Sequence, residues 1–378
     1  MITVFANNTI SGTLSHNNRE FIFNYKSDNP ISLTMPYTQK SYISKYNLHP
    51  IFDMSMPEGY LFNLLKNLLI KEYGEINDFI LFSHLSSNID AYLTYKKSEK
   101  FKSNISLDDI LNSSDNNLFS KLLDNFLNQS AIAGVQPKVV ASLQDKVTFS
   151  TKEYIIKTFS NEYPNLAENE FFCMKALQYA DIITPNFWIS KSKKLFIMEK
   201  FTYIDENNFY GFEEFCVLFG LHKEQKYSGS YEKIAKSIEK ISTQKEKDLT
   251  QFFKITVMNY LLKNGDAHLK NFGILYNHTK KKRFLAPAYD VVNTTIYLPN
   301  DKTALTMFGK KSWLNRKKLI EFGIKYCLLD KSRADEYFDI CLNAISKVRV
   351  DIKEHIGRNN DFKNFGNRLL GEISNGVL

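Results

Sequence analysis

Eight residues, Asn264-Gly265-Asp266-Ala267-His268-Leu269-Lys270-Asn271, followed nineteen positions later by Asp290, constrain this chain more than any other feature. An apolar stripe of Phe252, Ile255, Met258 and Leu262 runs up to them at helical spacing and stops at Lys263-Asn264-Gly265. The motif therefore leaves the end of a buried helix. After it, Phe272-Gly273-Ile274-Leu275-Tyr276 has the composition of a strand, Asn277 to Arg283 is a polar turn, and Phe284-Leu285-Ala286-Pro287-Ala288 leads to Asp290. Such a hairpin predicts Asp290 back beside Asn271.

The spacing suits a definite chemistry. A carboxylate that accepts the proton of an attacking hydroxyl must stand beside a metal without ligating it, and a short loop can then return a second side chain to the metal. The four residues between Asp266 and Asn271 suit such a loop. Magnesium takes oxygen ligands and keeps several waters, so Asn271 and Asp290, completed by phosphates, are a sufficient protein set. Protein kinases use this order of Asp, Asn and later Asp for phosphoryl transfer.

Upstream, the segment Ser130 to Lys138 is small or apolar around one glycine, and Ala133, Gly134, Val135, Gln136 and Lys138 form a candidate phosphate-covering loop. An ordinary connecting loop has the same composition. Lys157 ends the alternating run Glu153-Tyr154-Ile155-Ile156, where an inward-facing lysine would reach phosphates as a point charge. Glu170 lies in an expected helix, Ala167 to Ala180, that follows Pro164. Glu170 is either the ion-pair partner of Lys157 or a first-turn acid favoured by the helix dipole.

Together, Ala133-Gly134-Val135-Gln136-Pro137-Lys138, Asn169-Glu170, the Asn264–Asn271 block and Tyr289-Asp290-Val291-Val292-Asn293-Thr294 resemble the HipA family of bacterial toxin kinases. Met56-Pro57-Glu58-Gly59-Tyr60 is similar to the family's amino-terminal motif, and Gly211-Phe212-Glu213-Glu214-Phe215-Cys216 with Gly220 to its glutamate-rich helix start. The resemblance covers residues 1 to about 350 and is most specific at the Asn-Gly-Asp-x-His-x-Lys-Asn block. It implies an ATP- and Mg2+-dependent serine/threonine protein kinase. Asp266 is then the base, with His268 and Lys270 contacting the developing phosphoryl charge or supporting the loop. Asn271 and Asp290 are the metal ligands, Lys157 contacts phosphate, and Glu199 and Phe201 flank adenine. It also implies a growth-inhibiting toxin that phosphorylates an aminoacyl-tRNA synthetase or another cytoplasmic protein. Its partner would be a HipB-like DNA-binding antitoxin, through which alone it would meet DNA. The family's autophosphorylated serine is replaced here by Ala131, so self-modification is chemically closed at that position, with Ser130 one residue away as the alternative acceptor.

The expected fold is α+β: a two-lobed protein-kinase-like fold with a small mixed N-terminal domain and a mostly helical C-terminal lobe. The expected divisions are 1–125, 126–201 and 202–378. Short strands are expected at Ile2 to Phe5, Gly12 to Leu14 and Phe21 to Tyr25. Helices are expected at Tyr60 to Tyr73, Phe119 to Asn128, Glu232 to Lys240, Leu249 to Leu262, Lys317 to Tyr326 and Ala334 to Val348. A hydrophobic fraction of 43% with 24% charged residues excludes a disordered or fibrous chain. Cys173, Cys216, Cys327 and Cys341 form no C-x-x-C pair and sit in apolar contexts, which predicts buried reduced thiols and a cytoplasmic protein. No run of eighteen apolar residues occurs, so no membrane span is expected. The net charge of +8 peaks at Lys280 to Arg283 and at Lys310 to Lys318, which read as solvated faces rather than as a nucleic-acid module. Two other classes stay open at this level: a small-molecule kinase using the same Asp, Asn and Asp, and a catalytically silent nucleotide-binding scaffold or corepressor.

Overall fold

The computed structural model describes residues 1–56, 66, 67, 69, 70, 74, 76–85, 91–95, 107–112, 147–150, 154–158, 163–205 and 208–373. They divide into two compact units, Met1–Pro164 with Trp188–Lys223, and Asn165–Phe187 with Glu224–Leu378. The fold is α+β, with a small mixed N-terminal region.

In the first unit, among the described residues, an antiparallel sheet runs in the order Tyr42–Lys45, Glu20–Tyr25, Thr9–Asn17, Ile2–Ala6, Leu93–Thr94. Side chains alternate across a strand, so Phe21 and Phe23 are buried while Glu20 and Ile22 are less so. Phe23 meets Phe52, Phe52 meets Phe82, and Phe82 meets Tyr95, at ring separations of 5.7, 5.9 and 4.7 Å. That aromatic chain is the core beneath the sheet. A second sheet has the order Val147–Ser150, Tyr154–Thr158, Leu195–Glu199, Phe187–Ile189. The expected helix over Tyr60 to Tyr73 lies mostly outside the described residues, and that over Phe119 to Asn128 wholly so. Within the segment Gly211 to Cys216, likened above to a helix start, Gly211–Glu214 is a strand and the helix Phe215–Leu218 begins at once after it, with Glu214 at its N-cap. The reason is local: the buried Glu213 faces inward, where its carboxylate accepts the Leu33 N–H at 2.6 Å.

The second unit is organised around the helix Lys245–Leu261, buried on nearly every side. A helix buried on nearly every side must find partners inside for its buried polar side chains. Asp248 accepts from Ser242 Oγ at 2.7 Å, Leu285 N at 2.7 Å and Gln244 Nε2 at 2.8 Å, and the Lys254 ammonium donates to the Asp181 carbonyl at 2.9 Å. Burial still pushes the Asp248 carboxyl up, against the pull of those three donors. The helices Tyr231–Ile241, Arg316–Tyr326 and Lys331–Arg358 surround this core, where Tyr231, Phe252, Phe272 and Phe322 form one aromatic cluster. Leu166–Tyr179 packs along Lys331–Arg358, with Tyr179 Oη and Lys175 Nζ both 2.7 Å from Asp351 Oδ2.

All four cysteines are buried free thiols, as their contexts predict. Among the described residues no helix is long and apolar enough to cross a membrane.

Candidate active site

The Lys245–Leu261 helix ends where Leu262 N still bonds to Met258 O and Lys263 turns into the left-handed region at φ 55°. The chain then leaves the helix axis and the next residues can face outward. Asn264 is pinned below by its Nδ2 on Asn259 Oδ1 at 2.9 Å, and its own Oδ1 accepts the Asp266 N–H at 3.2 Å. Gly265 donates its N–H to Thr294 Oγ1 at 2.9 Å, and Thr294 donates onward to Asp301 Oδ2 at 2.5 Å. A Cβ at residue 265 would lie 2.0 Å from that same carboxylate oxygen, so only glycine lets the loop pass so close.

These contacts hold Asp266 with its side chain 48% exposed, a carboxylate open to a partner in solution. Its Oδ1 accepts the Tyr227 hydroxyl at 2.9 Å and stands 4.0 Å from His268 Nε2. Tyr227 also sets its ring edge-on to His268, with centroids 5.3 Å apart. Burial pushes the His268 imidazole down, and the nearby Lys226 adds to this, while Asp266 and Asp290 oppose it. The ring is therefore favoured neutral, as a support for the loop and a dipole beside the base. Its backbone N–H donates to Asn271 Oδ1 at 3.0 Å.

Asn271 Nδ2 donates to Asp290 Oδ2 at 2.7 Å. The antiparallel strands Gly273–Asn277 and Lys282–Leu285, paired from Ile274 with Leu285 to Asn277 with Lys282, make the hairpin that returns the chain to this point. Asp290 itself has φ 57°, a conformation that aspartate tolerates better than most residues. The Tyr289 hydroxyl donates to the Lys270 carbonyl at 2.6 Å, fixing the two arms together. The amide oxygen of Asn271 and the carboxylate of Asp290, on neighbouring side chains, are hard donors. Asn271 Oδ1 accepts one N–H and keeps a second lone pair. This set fits magnesium completed by phosphates and water.

Of the residues singled out from sequence, Asp266, His268, Lys270, Asn271 and Asp290 are brought together in the second unit, as the hairpin predicts. Glu170 lies in the same unit, fully buried on Leu166–Tyr179. Lys157, Glu199 and Phe201 lie in the first unit. There Lys157 is buried with its ammonium 5.7 Å from the Phe196 ring, Glu199 ends a strand, and Phe201 packs edge-on against Phe212 at 5.3 Å. Ala133, Gly134, Val135, Gln136 and Lys138 lie outside the described residues. The reading missed Tyr227, which has no motif and sits 39 residues before the carboxylate it touches.

A family model described as the HipA-like C-terminal domain matches residues 130–349, and one described as the HipA N-terminal domain matches residues 2–89. Y4dM and Y4mE of Sinorhizobium fredii, both provisionally named kinases, are each 26% identical, over 53% and 59% of this chain. The matches span 54% and 58% of those relatives, so this chain covers little more than half the length of either. A chain of the Shewanella oneidensis complex of HipA, HipB and operator DNA superposes with a TM-score of 0.68 at 16% identity, covering 99% of this chain and 96% of that one. That likeness establishes the fold.

Proposed function

We propose that this chain, which belongs to the HipA family, is an ATP- and magnesium-dependent serine/threonine protein kinase acting as the toxin of a toxin–antitoxin pair. The observation that carries the reading is a half-exposed Asp266 on a loop whose far end holds Asn271 against Asp290 at 2.7 Å. A scaffold has no chemical need for that arrangement.

In this reading Asp266 accepts the proton of a substrate hydroxyl as its oxygen attacks the γ-phosphorus of ATP. Asn271 and Asp290 hold magnesium, which when bound spreads the developing charge of the phosphoryl group. Thr294 and Asn264 keep the base from swinging away, because each holds backbone of the loop that carries it, and Asp301 fixes the Thr294 hydroxyl in turn. The neutral His268 supports the loop through Asn271, and Lys270 offers a cation beside the transferring group. The roles of Lys157 and Glu170, of Glu199 and Phe201 beside adenine, and of the Ala133–Lys138 segment over the phosphates rest on sequence order alone. So does the division into 1–125, 126–201 and 202–378. The target would be an aminoacyl-tRNA synthetase or another cytoplasmic protein. A HipB-like antitoxin would be the partner and the only route to DNA, a reading supported by the assembly in which the Shewanella chain was solved.

The test is phosphate transfer from ATP to serine or threonine of a protein by the purified chain, with magnesium and with a chelator. Transfer that needs magnesium and falls about 100-fold or more in Asp266→Asn is expected. Transfer to metabolites alone, with every protein inert, would move the assignment to a small-molecule kinase.

A further inference from the structure

The Tyr227 hydroxyl stands in the relation to Asp266 that a phosphate acceptor must take up. A base removes a proton across roughly 2.6–3.2 Å, and Tyr227 Oη lies 2.9 Å from Asp266 Oδ1 as the donor. The residue is 43% exposed. The backbone behind it is fixed, since Leu269 N donates to Lys226 O at 3.1 Å and Lys311 Nζ to Tyr227 O at 3.1 Å.

The surroundings also suit the product. The Lys226 ammonium lies 5.2 Å from the Tyr227 ring, and the Lys311 ammonium donates to the Tyr227 backbone carbonyl. Neither lysine enters an ion pair among the described residues. The Lys311 ammonium has three donors, of which the Tyr227 carbonyl takes one. A phosphate ester adds nearly two negative charges and three acceptor oxygens, a charge that the Lys226 ammonium beside the ring favours.

Resting on the kinase reading, we propose that Tyr227 is an autophosphorylation site, modified in cis by Asp266. Tyr227 Oη attacks the γ-phosphorus of ATP, and a new O–P bond forms as the bond to the β,γ-bridging oxygen breaks. The phenolic proton passes to Asp266 Oδ1, and ADP leaves. The product covers the base with a phosphate, so the modified protein is closed to other acceptors.

The experiment incubates the full chain with magnesium and ATP and follows the tryptic peptide Tyr227–Lys233 by tandem mass spectrometry, alongside Asp266→Asn and Tyr227→Phe. Phosphate on Tyr227, formed at a rate per molecule unchanged by dilution and lost completely in both variants, is the expected result. Phosphate transferred to another protein while Tyr227 stays unmodified would overturn this inference and leave the kinase reading intact. A rate per molecule that falls on dilution would overturn the assignment in cis. No transfer to any acceptor, with ATP binding demonstrated, would overturn both readings together.

Discussion

Asn169 and Asn293 exchange two hydrogen bonds across 124 residues of sequence: Asn169 Nδ2 donates to Asn293 O at 2.8 Å, and Asn293 N donates to Asn169 Oδ1 at 2.9 Å. Both side chains are fully buried. Asn293 further donates its Nδ2 to Leu262 O at 2.8 Å and accepts the Ile296 N–H at 2.8 Å. The helix carrying Glu170, the end of the central helix and the segment after Asp290 thus share one polar knot. Removing either amide leaves buried backbone groups without partners, at about 1–3 kcal/mol. Asn169→Ala and Asn293→Ala should each lower the denaturation midpoint. Asn169→Ala removes the bonds to the Asn293 backbone, which Asn293→Ala leaves in place while losing those to Leu262 O and Ile296 N, so the double variant should cost more than either single one.

Gly265 and Asp301 make a second coupled pair. Alanine at 265 would press its Cβ against Asp301 Oδ2, 2.0 Å away, and against Thr294 Oγ1, 2.7 Å away. The side chains must shift, which costs about 1–3 kcal/mol for overpacking, and the bond that holds the base loop is strained or lost. Gly265→Ala should lower both thermal stability and phosphoryl transfer. Adding Asp301→Ala should recover part of the stability by making room, without restoring the transfer.

His49 makes the first unit sensitive to acid. It caps the helix Pro50–Asp53, its Nδ1 accepting the Ile51 N–H at 3.3 Å, and only an unprotonated nitrogen can accept. Burial pushes the imidazole down from 6.5 to about 4, with His222 nearby adding to the effect. Between those two values the unfolded chain holds the extra proton and the folded one does not. The stabilisation is therefore complete above pH 6.5 and is lost as pH falls towards about 4. After allowance for partial exposure it amounts to on the order of 2 kcal/mol. Denaturant titrations across this window should show the loss in the natural chain and a flatter profile in His49→Gln.

The parts of the site that lie close together in sequence were the legible ones. Asp266, Asn271 and Asp290 are joined by one loop and one hairpin, and alternation with turn chemistry suffices to fold those back. The helices Tyr231–Ile241 and Arg316–Tyr326 were readable for the same kind of reason, since their apolar periods are clean. Lys245–Leu261 starts four residues before its expected beginning at Leu249, because Lys245 to Asp248 form a polar first turn with no apolar period to announce it. Tyr227 was invisible because an exposed tyrosine in a polar connector carries no pattern, and only tertiary packing of that connector on Leu269 brings it to Asp266. The pairing of Asn169 with Asn293 was hidden likewise, as two amides far apart in the chain say nothing of each other until the fold joins them.

The central claim is that Asp266 acts as the base in phosphorylating a protein. The most direct measurement is quantitative phosphopeptide mass spectrometry on bacteria expressing this chain, against the same cells expressing Asp266→Asn at equal level. The account predicts phosphoserine or phosphothreonine on at least one cytoplasmic protein that disappears with the substitution. Identical phosphopeptides in the two strains, with ATP binding confirmed for both proteins, would contradict it.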